Sequence, residues 1–259
     1  MPFVSVNSLK TFYEAKGEGR SLVLIHGAGA TNSYWGIQLS ELSKKLRVIA
    51  IDLPGHGKSD RLKEKVSIER YAEHVAGFIK QIKLDQAVIL GHSMGGLIVQ
   101  QLALKHPELI EKLIIVDSSA HFPTVPPKYA ERFRDTSRNQ LEVLGREILS
   151  SIFSKKTLAK GNLASLLKYL QPDSVYDPNV LVNDFEAGRG VDLRDRLKEI
   201  TIPTLIIAGA DSLIPISMAQ FLHENIKGSE IEIIPDAGHM PMLEKPDEFN
   251  KAILRFIGA

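Results

Sequence analysis

The chain contains no cysteine. Disulfides, thiolate metal sites and cysteine nucleophiles are therefore excluded. It also lacks an excess of charge: 32 basic and 31 acidic residues leave a net charge of +1. Neither a nucleic-acid nor an acidic-membrane partner is expected of such a balance. The pairs Lys44-Lys45 and Lys155-Lys156 are short and read as solvated faces. No apolar run approaches the ~18 residues of a membrane span. Met1-Pro2-Phe3-Val4-Ser5-Val6-Asn7 lacks the basic start and apolar stretch of a signal peptide, so a cytoplasmic location is the expectation. No internal repeat or low-complexity tract is visible. With 259 residues, the chain suits one large domain, or one domain carrying an insertion. It should bury roughly 70–75% of its unfolded surface, which needs no covalent staple.

What is present is an alternation of short, continuously apolar runs with helix-like segments. Residues 21–25, 47–51, 86–90, 112–116, 203–208 and 230–234 read as buried strands, and Phe12 to Ala15 as part of an opening hairpin. Residues 67–82 and 246–257 read as helices. Strands without polar alternation, separated by helices, predict a mostly parallel sheet covered on both faces, with active residues at the carboxyl ends of its strands. Between His121 and Ile202 this rhythm fails. Pro123, Pro126 and Pro127 suggest a hinge or linker, and residues 141–149 and 163–170 carry helical patterns. The expectation is a core at 1–120 and 203–259, with a helical lid at 121–202.

The most specific local signal is Gly91-His92-Ser93-Met94-Gly95. It has the form G-x-S-x-G, lying between a strand-like run and an apolar helical pattern. A serine on so sharp a turn has its hydroxyl pushed out of the sheet beside a helix N-terminus. By composition alone the motif arises roughly one time in ten in a chain of this length. A serine nucleophile needs a base, and the base needs a group that fixes its tautomer. His239, just after the last strand, is the candidate base, and Asp211, just after the preceding strand, the candidate acid. The order Ser93, Asp211, His239 is that of hydrolases built on this elbow. Asp117, at the end of an earlier strand, is the alternative acid. The candidate oxyanion donors are the backbone N–H groups of Met94 and Ala28, with Gly27 next after Ala28. His26 reads as a structural hydrogen-bonder.

His26-Gly27-Ala28-Gly29, Asp52 to Ser59, Gly91 to Gly96, Asp211 with Pro215, and Gly238-His239 together resemble the α/β-hydrolase superfamily over nearly the whole chain. The resemblance implies an eight-stranded-type sheet with a helical lid, no cofactor, and a structural rather than catalytic role for His56. Members often carry the acid three residues after the glycine, whereas Asp211 lies two after Gly209, although its interval to Pro215 fits. Ser93 stands where dehalogenases and epoxide hydrolases carry an aspartate.

The expected activity is cleavage of small carboxylic esters through an acyl-enzyme. C–C bond or lactone hydrolysis by the same triad is the alternative, and a ligand receptor on this fold the non-enzymatic one. Arg132, Arg134, Arg138 and Arg189 are candidates for a substrate carboxylate. Phe122, Tyr129, Phe133, Phe153, Tyr169, Tyr176 and Phe185 read as lid core before acyl pocket. Gly57-Lys58-Ser59 fails as a P-loop because Asp52 stands at the first glycine position, and Gly27-Ala28-Gly29 fails as a dinucleotide loop at Asn32. No metal-ligand cluster is evident among the eight histidines. Acyl length, physiological substrate and oligomeric state are left open by the sequence.

Overall fold

Branched aliphatic residues without polar interruption form the centre of the molecule. The computed structural model describes residues 3–61, 65–122, 151–161, 163–170 and 178–259. Eight strands make one sheet: β1 (Phe3–Val6), β2 (Leu9–Lys16), β3 (Ser21–Ile25), β4 (Arg47–Ile51), β5 (Ala87–His92), β6 (Ile110–Val116), β7 (Thr204–Gly209) and β8 (Glu230–Ile234), in the order β1-β2-β4-β3-β5-β6-β7-β8. β1 and β2 form an antiparallel hairpin, and β2 also runs antiparallel to β4. All other pairings are parallel.

Side chains along each central strand alternate between two cores. Leu22, Leu24, Val48, Ala50, Val88 and Leu90 face one side, with Trp35, Phe249 and Ile253. Val23, Ile25, Ile49, Ile51 and Ile89 face the other, with Tyr71, Phe78, Leu97 and Leu222. Both alternating sets are apolar, so the strands read as continuous runs and helices must cover both faces. Each such side chain contributes roughly 1.5–3 kcal/mol by leaving water.

The first face is covered by α1 (Gly36–Glu41), α8 (Pro241–Glu244) and α9 (Pro246–Ile257); α2 (Ile68–Gln81), α3 (Met94–Lys105) and α7 (Ile216–Asn225) cover the second. Local chemistry sets the helix ends. The Ser67 hydroxyl accepts from Arg70 N–H at the start of α2. Pro246 opens α9, and Gly258, at φ 82°, closes it in the left-handed conformation.

β4 and β5 lie on opposite sides of β3, so the chain reverses its direction of travel across the sheet there. Such a switch opens a crevice at the carboxyl ends of the strands. Ile25 pairs with Gly91, which places the loop after β3 against the turn after β5.

Between β6 and β7 the described residues hold α4 (Lys155–Ala159), α5 (Leu163–Leu170), α6 (Pro178–Gly188) and a short 3-10 stretch. They contain no strand, only an isolated bridge between His121 and Asp192. The helical pattern at 163–170 coincides with α5. The pattern at 141–149, the three prolines, Arg132, Arg134, Arg138, Tyr129, Phe133 and Tyr176 lie outside the described residues. Phe153 is buried in the first core, and the rings of Phe122 and Phe185 meet edge-on at 5.8 Å.

Candidate active site

Ser93 sits at φ 56°, ψ −118°, a backbone conformation an L-residue adopts only under constraint. The constraint is the crossing of strand and helix. A Cβ on Gly91 would stand 2.1 Å from the Gly95 carbonyl oxygen, and a Cβ on Gly95 2.6 Å from the carbonyls of Ile25 and His26. Only glycine fits at either place. Ser93 N–H donates to Val116 O (2.9 Å), which extends the ladder through the turn. Among the described residues the half-buried Ser93 hydroxyl has no hydrogen-bond partner: it does not cap α3, and it makes no hydrogen bond to His239. Such contacts are often long before substrate arrives. Met94 is the first residue of α3, so its N–H has no partner within the helix.

The loop after β3 is tied down at three of its four backbone N–H groups. Gly27 N–H donates to Tyr34 Oη (2.6 Å), Gly29 N–H to Asp184 Oδ2 (2.8 Å) and Ala30 N–H to Gly27 O (3.3 Å). Of the four residues 27–30, only Ala28 keeps an N–H without a partner among the described residues. His26 Nδ1–H donates to Gly27 O (2.9 Å), and its Nε2 accepts from Leu53 N–H (3.0 Å). A carbonyl only accepts and an amide only donates, so this histidine is neutral with its proton on Nδ1. Burial first, then the neighbouring His56, hold its pKa well below the ordinary histidine range. His26 thus joins the β3 and β4 loops.

His92 connects the loop to His239. Its Nε2–H donates to the His239 carbonyl (2.8 Å), and its Nδ1 accepts from Tyr34 Oη (3.0 Å). Burial lowers its pKa to about 4, so it remains neutral. The His92 and His239 rings lie 4.7 Å apart. The backbone around His239 is held from two directions: His239 N–H donates to Ile152 O (2.7 Å), and Gly238 N–H to Glu244 Oε1 (2.7 Å). The ring is buried, which pushes its pKa well below the ordinary range, with a further contribution from His92. A neutral imidazole is the form that accepts a proton.

The structure does not bring the Asp211 carboxylate to this imidazole. Asp211 is exposed, and its recorded bond is from its backbone N–H to Ala237 O (2.8 Å). The group at His239 Nδ1 is instead the Ser212 hydroxyl, 3.4 Å away. Ser212 Oγ also accepts from Ile214 N–H (3.1 Å). Beyond it lies Asp117, only 2% exposed and strained at φ 41°. Asp117 Oδ2 accepts from Gly209 N–H (3.1 Å), while its Oδ1 is buried without a hydrogen-bond partner. Burial pushes the Asp117 pKa up to about 8, against the opposing influence of the Ser212 hydroxyl and Gly209 N–H. Ser212 was not singled out by the sequence, yet it occupies the position three residues after Gly209 at which relatives of this fold often place their acid. Tyr34 and Asp184 were also missed.

A second polar group lies behind the loop. Asp184, on α6, is fully buried. It receives His56 Nε2–H at Oδ2 (2.8 Å) and Tyr71 Oη–H at Oδ1 (2.8 Å), in addition to Gly29 N–H. Among the described residues, no group of three or more His, Asp or Glu side chains is arranged to hold a metal ion. No helix there is long and apolar enough to cross a membrane. Arg189, the one described member of the four candidate arginines, pairs with Glu186 on the surface (2.7 Å).

A family model described as alpha/beta hydrolase fold matches residues 20–246. The chain belongs to this α/β-hydrolase family. The hydrolase is 32% identical over 257 residues to a pimeloyl-[acyl-carrier protein] methyl ester esterase of Aeromonas hydrophila, an alignment covering 95% of this chain and 98% of that protein. In three dimensions it resembles the enol-lactonase of Burkholderia xenovorans with a TM-score of 0.90, 27% identity and full coverage of both chains. It also resembles Est816, an N-acyl homoserine lactone degrading enzyme, with a TM-score of 0.83 at 29% identity, covering 98% of this chain and 100% of that one.

Proposed function

We propose that the chain is a serine hydrolase of carboxylic esters, with Ser93 as nucleophile and His239 as base. The observation that carries this reading is the conjunction of a free, strained Ser93 hydroxyl with two unpaired backbone donors, Ala28 and Met94 N–H, beside a buried neutral imidazole. Ser93 Oγ attacks the ester carbonyl while His239 Nε2 takes its proton. The oxyanion is received by Ala28 and Met94 N–H. His239 returns the proton to the leaving alkoxide, and a water activated by the same nitrogen then releases the acyl group.

In this reading the acid arm is Asp117 acting through Ser212, and not Asp211. A proton on His239 Nδ1 is donated to Ser212 Oγ, and the Ser212 O–H in turn to the Asp117 carboxyl. This keeps Nε2 unprotonated toward Ser93. In the same reading the described helices between β6 and β7 serve as a lid, which is supported by the approach of the α6 side chain Leu181 to within 3.0 Å of where a Cβ on Gly29 would stand.

Linear esters are favoured by the likeness to a methyl ester esterase, and cyclic esters by the two lactone-acting neighbours; both present the same carbonyl to Ser93. The test is a panel of p-nitrophenyl esters, dicarboxylic methyl esters and lactones, combined with fluorophosphonate labelling and peptide mapping. Labelling at Ser93 with turnover of at least one ester or lactone is the expected result. Labelling without any turnover would favour a ligand receptor, and labelling elsewhere would remove Ser93 from the chemistry.

The pH dependence follows from the depressed His239 pKa. The acid limb of kcat/KM, which reports the free enzyme's base, is expected to lie below the ordinary histidine value of about 6.5. Asp117, with its pKa at about 8, titrates separately, so the His239 limb is read in Asp117→Asn. A limb centred above about 6.5 in that variant, measured by initial rates across the pH range, would contradict a buried neutral base.

A further inference from the structure

Asp184 gathers three donors from three separate elements onto one buried carboxylate. Gly29 N–H comes from the oxyanion loop, His56 Nε2–H from the turn after β4, and Tyr71 Oη–H from α2, each at 2.8 Å. The protonation of this cluster follows from its geometry. His56 Nδ1 faces the Pro54 carbonyl at 3.2 Å, which only accepts. Its Nε2 faces the oxygen that already accepts from Gly29. Nδ1 therefore carries a proton, and with Asp184 already accepting from Gly29 and Tyr71 the arrangement is that of a carboxylate receiving a third donor from His56 Nε2, an imidazolium–carboxylate pair. Burial alone would lower the His56 pKa; the charge and hydrogen bond of Asp184 outweigh it and raise the value. His26, 4.7 Å from His56 by ring centroid, is neutral, and Asp52 lies on the same side with its carboxylate accepting from Asn32 and Lys58 N–H.

A buried ion pair of this kind is poorly explained by stability, because desolvation costs about as much as the attraction returns. Its placement accounts for it better. The Gly29 N–H that it holds belongs to the peptide immediately following Ala28, in a loop where Gly27 and Ala30 are already fixed from other directions. A neutral acceptor would hold the two donors converging on Oδ2 more weakly than a charged one.

We propose that Asp184 is a positioning residue: its charge fixes the oxyanion loop so that Ala28 N–H points at the developing oxyanion, and the docking of α6 is thereby coupled to catalysis. The inference rests on the esterase reading. Its test is Asp184→Ala and Asp184→Asn, assayed on an ester that wild type turns over with dependence on Ser93. Folding is checked by circular dichroism, and phenylboronic acid serves as the tetrahedral mimic.

Asp184→Ala is expected to lower kcat about 100-fold, the order of losing one oxyanion donor. KM should change less than threefold, and boronate inhibition should weaken in parallel with kcat. Asp184→Asn keeps the shape, covers the case in which the alanine variant does not fold, and should lose about tenfold in both kcat and boronate affinity. A merely structural residue would leave kcat per folded molecule and boronate affinity unchanged. Wild-type values of both in folded Asp184→Asn would overturn the inference alone. A wild-type chain without turnover dependent on Ser93 would overturn the esterase reading and the inference with it.

Discussion

Ser93→Ala is expected to lower kcat on a p-nitrophenyl ester by at least about 10⁴-fold and to abolish fluorophosphonate labelling, with KM little changed. The magnitude follows from what remains: Ala28 and Met94 N–H still polarise the carbonyl and the crevice still binds substrate, so water attack retains roughly 10³–10⁴-fold over solution. The fold should tolerate the change. Ser93 makes no side-chain hydrogen bond, and alanine removes one oxygen at a half-buried position. Alanine still has to adopt φ 56°, so a small fall in Tm is expected and no more. Initial rates on protein freed of contaminating esterase by active-site titration decide the matter. Turnover within tenfold of wild type would mean that the elbow does not supply the nucleophile.

The second large effect separates two aspartates. Above a pH of about 8, where the wild-type Asp117 is ionised, Asp117→Asn should lower kcat about 10²–10³-fold, because the charge proposed to stabilise the His239 imidazolium through Ser212 is gone; Asp211→Asn should stay within twofold of wild type. The stability change has the opposite sign. The folded state holds the Asp117 proton up to a pKa of about 8, whereas the unfolded chain loses it near 3.8. Between those values the folded state binds the extra proton, so stability falls as pH rises across the window, by up to about 1.4 kcal/mol per pH unit. Asparagine cannot ionise and escapes this loss. Asp117→Asn is therefore expected to melt several degrees above wild type at pH 9 and level with it near pH 4. The wild-type rise in kcat through pH 8, as Asp117 ionises, should be missing from the variant. Paired pH-rate and pH-melting curves read both signs. A strong loss in Asp211→Asn with none in Asp117→Asn would restore Asp211 as the acid.

What could be read from the chain alone, and what could not, divides along a physical line. β3, β4 and β5 were visible because both faces of each strand are buried, so the runs are almost wholly apolar, whereas the edge strand β8 was visible through its isoleucines although Glu230 and Glu232 interrupt them. The ends of α2 and α9 were visible because Ser67 and Pro246 are local signals. His239 could be singled out as a candidate because a loop at the end of the last strand reaches the crevice in a sheet of this order. The contact of the Ser212 hydroxyl with His239 Nδ1 was not legible. It depends on the side-by-side pairing of β6 and β7, which sets Asp117 beside residues 209–212, and on a single-residue difference in where the chain leaves β7. Asp184 was hidden for a related reason. An aspartate in a helix ordinarily faces water, and nothing near it in sequence marks the burial that His56, 128 residues away, makes tolerable. The helices α1 and α7 went unread because each follows a turn directly and is short or only partly apolar.

The bond from His239 N–H to Ile152 O bears on how such enzymes exchange parts. Residues inserted between two strands look like a removable module, and swapping them is an obvious route to new substrate range. Here the last residues before α4 are tied to the segment they adjoin, since Ile152 O holds the His239 backbone and Ser154 N–H donates to Glu244, the same carboxylate that fixes Gly238. A chimera that replaces the insertion in one piece therefore changes reactivity along with selectivity. One whose junction falls upstream of Ile152, and which leaves α6 in place, varies selectivity by itself.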